Sequence, residues 1–154
     1  MADITLTPLA VSDVPDLYAF ERENRAWFER FVPPRPDAYW QHARLAALVR
    51  TQVADPDAMF LIRVGGALAG RLNLTDFEVG VAQLGYRVGK AWGGRGVASA
   101  AVTLGLERAR GLGLHAVEAR ARADNPASVR VLEKCGFVLR ADGAGWHLGR
   151  RAPG

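Results

Sequence analysis

At Ala58 the apolar pattern of the chain changes period, and this change constrains the fold more than any other feature of the sequence. Upstream, "ENRAWFERF" and "DAYWQHARLAALVR" carry their apolar residues at helical spacing. Downstream, "AMFLIRV", "ALAGRLNLTDF" and "VAQLGYRV" read as strands, and the Gly65-Gly66 pair between the first two suits a hairpin turn. The short connections make these three consecutive antiparallel strands.

The flanking segments complete a mixed pattern. "DITLTPL" alternates apolar and polar residues as a short half-buried strand does. Ser12 offers a helix N-cap and Pro15 a first-turn residue, which predicts a helix from Asp13 to Glu23. "VPPRP" stops the next helical run, because proline lacks the N–H a helix needs. A helix from Val97 to Arg110 ends at Gly111 and Gly113, where glycine tolerates a left-handed cap. "HAVEARA" is a strand and "NPASVRVLEKC" a short helix capped by Asn125, while "GFVLRA" and "GWHLGR" predict a final hairpin around Asp142-Gly143. The expectation is a single α+β domain spanning residues 1–154, without repeats or low-complexity linkers.

Composition excludes several classes. No apolar run approaches the ~20 residues of a membrane helix, and "MADITLTPLA" lacks the basic head and long apolar stretch of a signal peptide, so a cytoplasmic protein is expected. Cys135 is the only cysteine, and His42, His115 and His147 have no ligand spacing, so neither a disulfide nor a metal site is expected. Cys135 should pack in the core. The formal charge of +4 comes from arginines scattered along the chain with only Lys90 and Lys134 beside them. That distribution reads as compositional bias, not as a nucleic-acid-binding stretch, although an anionic small ligand would benefit from the same field.

"GYRVGKAWGGRGVASAAV" places a glycine cluster between a strand and a helix. Such glycines let successive N–H groups point inward as an anion nest where the helix start adds partial positive charge; the competing reading is a flexible turn. The nucleotide-binding P-loop fails here, because Arg95 and Gly96 stand where Lys and Ser/Thr are needed. The dinucleotide fingerprint fits at Gly94, Gly96 and Glu118, but Ser99 replaces its third glycine and too little chain remains for a parallel sheet.

"LGYRVGKAWGGRGVASAAV" resembles the acetyl-CoA motif of the GNAT acyltransferase superfamily, and "NPASVRVLEKCGF" resembles its second motif. "ENRAWFERFVPPRP" is similar to a segment of the branch that acetylates ribosomal-protein N-termini. The resemblance implies an α+β fold with a central mixed, mostly antiparallel twisted sheet flanked by helices and splayed near the acetyl-CoA site. It also implies that Val88 meets the cosubstrate through its main chain, that the amides of Gly93, Gly94, Arg95, Gly96 and Val97 hold the pyrophosphate, and that Arg95 adds an outer contact. Ala91 departs from the Gln or Arg usual there, which a backbone nest tolerates, and Lys90 and Trp92 are read as rim residues.

In the second motif Asn125 caps the helix, contacts the cofactor, or does both. Leu132 stands where many relatives carry a proton-donating tyrosine, so Ser128 inherits the role of leaving-group acid or serves only as a cofactor contact. Ser128 and Val88 are thus the expected catalytic residues. For the general base, Asp76, Glu78 and Glu23 are open alternatives with a water relay, since Gln83 occupies the strand position where the branch often carries an acid. A ping-pong acetyl-cysteine at Cys135 lacks an adjacent base.

The function implied is an N-acetyltransferase that uses acetyl-CoA and no metal. Its acceptor would be a primary amine, on a protein N-terminus or a small molecule, attacking directly in a ternary complex. The other reading is a degenerate domain that binds CoA as a sensor or scaffold. No nucleic-acid or membrane partner is expected, and either a monomer or a homodimer is compatible with the sequence.

Overall fold

The computed structural model describes residues 3–31, 33–54 and 58–154. Strand β1 (Ile4–Pro8) leads through a 3-10 turn at Val11–Asp13 into helices α1 (Val14–Glu23) and α2 (Arg25–Phe28). A second 3-10 turn, Asp37–Trp40, precedes α3 (His42–Ala54). Then come β2 (Ala58–Val64), β3 (Ala67–Glu78), β4 (Val81–Val88), α4 (Val97–Gly111), β5 (Ala116–Arg122), α5 (Pro126–Lys134), β6 (Arg140–Ala141) and β7 (Trp146–Arg151). The strands form one seven-stranded sheet in the order β1-β2-β3-β4-β5-β7-β6. Among the described residues only the β4–β5 pairing is parallel. The α+β fold with a mostly antiparallel sheet is therefore as the sequence predicts.

The unbroken apolar run of β2 is explained by burial on both faces. Phe60, Ile62 and Val64 join Leu72, Leu84, Val102 and Leu106 in the core beneath α4 and α5. Leu61 points the other way, into the core that Leu17, Leu45 and Val49 form beneath α1 and α3. Each of these large side chains contributes about 1.5–3 kcal/mol by leaving water. Gly105 lets α4 lie close on the sheet, since a Cβ there would fall 3.0 Å from both methyl carbons of Leu72.

Three local expectations shift. Asp13, not Ser12, precedes α1: Ser12 lies inside the 3-10 turn, and the Asp13 carboxylate accepts from the Ala10 amide (2.9 Å) and pairs with Arg63 (3.2 Å). The run "ENRAWFERF" yields only the short α2, and the stop signal after it includes Val32, which lies outside the described residues. "GFVLRA" contributes just two residues of strand, because Gly136 ends α5 with a φ of +92° and Phe137 turns into the core. The turn beyond is fixed by Asp142, whose carboxylate accepts from the amides of Ala144 and Trp146.

Candidate functional site

The parallel pairing of β4 with β5 covers only Val81–Leu84 against Ala116–Ala119. Beyond it both strands continue, β4 to Val88 on the β3 side and β5 to Arg122 on the β7 side. The sheet is therefore splayed between Gly85–Val88 and Arg120–Arg122.

Hydrogen-bond alternation fixes what lines this gap. The Gly89 amide donates to the Ala69 carbonyl (2.8 Å), and Gly89 is opposite Ala69 in the β3–β4 register. Residues 89, 87 and 85 thus bond toward β3, and the intervening residues Val88 and Tyr86 turn their N–H and C=O groups toward β5. With no β5 pairing there, those groups face the gap. A polar ligand inserted between the strands would meet them as a strand would.

Both helices bordering the gap begin at it. Asn24 positions the turn after β4: its side chain donates to the Phe20 carbonyl (2.9 Å) and accepts from the Lys90 amide (2.9 Å). That is a physical role for the "ENR" segment. The turn then runs through exposed Gly93, Gly94, Arg95 and Gly96 to buried Val97. Gly94 and Gly96 adopt φ of +72° and +76°, the left-handed region in which a nest forms. Gly96 is the N-cap of α4 and supplies no side-chain cap, so the first amides of that helix are left to an external acceptor. Of the five residues read as the nest, Gly93 is partly committed, its amide donating to Lys90 at 3.3 Å. The Arg95 guanidinium lies 5.4 Å from the Trp92 ring at the rim.

On the other side, Asn125 caps α5 by accepting from the Ser128 amide (3.3 Å). Ser128 Oγ lies 2.9 Å from the hydroxyl of Tyr86, which reaches across from β4. Burial holds the Tyr86 phenol above its usual range, only partly offset by the bond to Ser128. It is a neutral hydroxyl at neutral pH. This pair was missed in the sequence although "GYRV" was in view; the cue was Leu132, which left a hydroxyl to be supplied from elsewhere. Cys135 is buried as expected, its thiol pushed up chiefly by burial and directed at the Ser99 carbonyl (3.5 Å).

The structure brings Val88, the Gly94–Val97 turn, Asn125 and Ser128 to the rim of one gap. It does not bring Asp76 or Glu78 there, whereas Glu23 neighbours Asn24, whose side chain holds the turn after β4. Asp76 and Glu78 lie at the β3–β4 hairpin beside Val81, seven residues from Val88 and thus roughly 20 Å away at about 3.3 Å per residue. Glu23 is exposed at the end of α1, and Gln83 donates to Glu118 (3.2 Å). Among the described residues no group of three or more His, Cys, Asp or Glu side chains is placed to hold a metal ion, and no helix is long and apolar enough to cross a membrane.

Residues 3–138 match the model of the acetyltransferase (GNAT) domain. The chain is 33% identical over 144 residues to a probable N-acetyltransferase, YjcK, of Bacillus subtilis, covering 87% of this chain and 80% of that one. Among solved structures, RimL, a ribosomal L7/L12 α-N-protein acetyltransferase in complex with coenzyme A, superposes with a TM-score of 0.86 at 22% identity, covering 97% of this chain and 93% of its own. The ribosomal-protein-S5-alanine acetyltransferase of Vibrio fischeri gives 0.83 at 18% identity, with 99% and 97% covered. The site geometry, the domain match and the curated relative agree: the chain belongs to the GNAT acetyltransferase family.

Proposed function

We propose that the chain transfers acetyl from acetyl-CoA directly to a neutral amine, on a protein N-terminus or a small amino compound. The observation that carries this reading is the gap between β4 and β5, rimmed on one side by an uncapped glycine nest and on the other by the Tyr86–Ser128 hydroxyl pair. The nest suits a pyrophosphate: Gly94 and Gly96 hold the left-handed conformation, α4 starts without a side-chain cap, and an added Cβ at either glycine would meet no atom within 4 Å, so the turn is not covered on that side. Gly93, Gly94, Arg95, Gly96 and Val97 would hold the pyrophosphate, with Asn125 and Val88 along the pantetheine.

Acetyl-CoA supplies a thioester that an amine can attack without a covalent enzyme intermediate. The Val88 N–H faces the charge that develops on the carbonyl oxygen. Ser128 Oγ–H gives its proton to the departing sulfur, and the Tyr86 hydroxyl, bonded to Ser128, replaces that proton. The nitrogen's surplus proton leaves to water, and water returns one proton to Tyr86, so the relay ends as it began. Without a dedicated base, an α-amine is the favoured acceptor, since its neutral form at pH 7 costs only about 1 kcal/mol, against roughly 4–5 kcal/mol for lysine.

The distance of Asp76 and Glu78 from Val88 also favours a second reading, CoA binding without turnover. Release of the CoA thiol separates the two, measured with two matched peptides, one with a free α-amine and one N-blocked with a free lysine. Faster transfer to the α-amine supports the proposal, and faster transfer to the blocked lysine peptide overturns the α-amine preference. No transfer to these peptides or to a panel of small amines leaves CoA binding alone.

A further inference from the structure

The packing around Gly85 does not call for a glycine. It lies inside β4, in register with Asn73 of β3, and is exposed. A glycine in a strand interior weakens the strand, so it ordinarily marks a positive φ, a bulge, or a close approach by a ligand or another backbone. Gly85 has no positive φ. The β3–β4 register runs unbroken from Gly70 to Thr75, so Gly85 does not sit at a bulge. A Cβ built on it would meet no atom within 4 Å among the described residues, so no neighbouring segment presses on it. What remains is the approach of a ligand.

Its position says which ligand. Ala82, Leu84 and Tyr86 pack on the α4 side, so alternation turns Gln83, Gly85 and Arg87 to the opposite face. Gln83 is tied to Glu118 (3.2 Å) where β4 and β5 still pair. Gly85 is the next position on that face and the first residue of β4 beyond the pairing, at the root of the gap. Arg87 fills the position after it, with its guanidinium 3.5 Å from Glu21 and 4.8 Å from the Phe28 ring. Across the gap Arg120 leans toward β7, its guanidinium 4.4 Å from the centre of the Trp146 ring. Gly85 is thus the floor of a bare window between Gln83 and Arg87, which stand roughly 13 Å apart at about 3.3 Å per residue. The apolar core that α1 and α3 form on this face includes, among the described residues, none from β4 to β7, so the window is open from above.

We propose that this window is the subsite for the first residue of a polypeptide acceptor, whose α-carbon and side chain lie over Gly85 while its amine enters the gap. The inference rests on the acetyltransferase reading and sets the size of acceptor that reading admits. Tyr86 meets Ser128 on the α4 and α5 side of the gap, which leaves the opposite face for the acceptor. An amine arriving there must bring the carbon that bears it past the root of the gap. In an α-amine that carbon is branched, carrying a side chain and a carbonyl, whereas the ε-amine of lysine ends an unbranched methylene chain. A bare strand position gives the branched carbon room that the slender one does not need. Gly85 is therefore a specificity-determining residue, acting through the side chain it lacks.

Two variants, Gly85→Ala and Gly85→Val, add volume at the window. Both should hold or raise the urea midpoint, because open space receives the new carbons and strand propensity rises. Calorimetric affinity for acetyl-CoA should be unchanged. Transfer is then measured to matched peptides that differ only in beginning with Gly or Ala. For the Ala peptide kcat/KM should fall about 10–100-fold in Gly85→Val and less in Gly85→Ala, the scale expected when a reacting amine is displaced by about 1 Å. The Gly peptide, whose α-carbon carries no side chain, should lose less. Should Gly85→Val fail to fold, the same ranking in Gly85→Ala decides. An unchanged kcat/KM for the Ala peptide, or equal losses for the two peptides, overturns the subsite and leaves the acetyltransferase reading standing. A binding arm tests that reading separately: in isotope-labelled protein saturated with CoA, which carries no acetyl to transfer, the Gly85 amide signal, assigned with Gly85→Ala, should shift saturably on addition of the Ala peptide. A saturable shift with no transfer to any amine keeps the subsite and removes the transferase reading, and neither shift nor transfer removes both.

Discussion

Replacing Glu21 by Gln keeps the side chain's shape and removes the one carboxylate that three guanidiniums share. At separations of 3.5, 3.9 and 3.5 Å, each attraction is about 4–5 kcal/mol at an effective dielectric of ~20. Against that stand several kcal/mol of desolvation for each ion and the mutual repulsion of the arginines. Removing one partner from a buried ionic cluster leaves uncompensated charge and typically costs about 3–5 kcal/mol. Arg35 and Arg87 keep 27% and 23% of their side chains in contact with water, which places the expectation near the lower figure. A loss of about 3 kcal/mol is a large share of the ~5–15 kcal/mol that ordinarily holds a domain folded. Urea unfolding at neutral pH should show it as a midpoint lowered by about 1–3 M. Adding Arg87→Met to Glu21→Gln removes one repelling charge and should restore about 1–2 kcal/mol, a coupling that distant sites would not show. A loss below about 1 kcal/mol in Glu21→Gln, or strict additivity in the double variant, would refute the shared-carboxylate account.

Ser128→Ala should lower kcat by about 10²–10⁴ with little change in the KM for acetyl-CoA, because a leaving-group proton matters only as the thiolate forms. Steady-state kinetics showing the reverse split would reduce Ser128 to a cofactor contact. Tyr86→Phe removes one hydrogen bond to Ser128 and should lower kcat by about 3–10-fold; an unchanged kcat would remove Tyr86 from the relay. Val79 adopts a φ of +49° just before Gly80 and is 87% exposed. Val79→Asn should raise stability by about 1 kcal/mol in urea titration and leave acetyl transfer unchanged, because a β-branched residue pays about 1–2 kcal/mol in that region and Asn-Gly suits the hairpin turn. Burial raises the phenols of Tyr39 and Tyr86. The folded state therefore holds protons that the unfolded chain releases near pH 10, so their contribution to stability is whole below that pH and is lost as pH rises further. The urea midpoint should fall less steeply above pH 10 in Tyr86→Phe, and an equal slope would contradict the burial argument.

Much of this arrangement is legible in short stretches because it depends on neighbours in sequence. β2, β3 and the Gly65-Gly66 turn follow from period and turn chemistry, the start of α4 from the glycine-to-helix transition, and the Asn125 cap from its place before Pro126. What escaped is long-range. Tyr86 and Ser128 are 42 positions apart, and no local pattern declares that a strand tyrosine meets a helix serine across a splayed sheet. Arg35, Arg71 and Arg87 read as scattered charge until alternation on β3 and β4 and the return of the chain after α2 bring them to Glu21. The two shifted helix boundaries, at Asp13 and in α2, arise where side-chain and 3-10 hydrogen bonds compete with the α-helical pattern.

The central claim is that the Gly94–Val97 turn holds acetyl-CoA, and calorimetric titration of acetyl-CoA into the wild-type chain and Gly96→Val tests it most directly. Gly96 has a φ of +76° and open space where a side chain would project, so valine there both strains the turn and fills the approach to its amides. With circular dichroism confirming the fold, saturable one-to-one binding to the wild type and a loss of about tenfold or more in affinity for Gly96→Val is the predicted result. Equal affinity in the two folded proteins, or no binding to the wild type, would contradict the account.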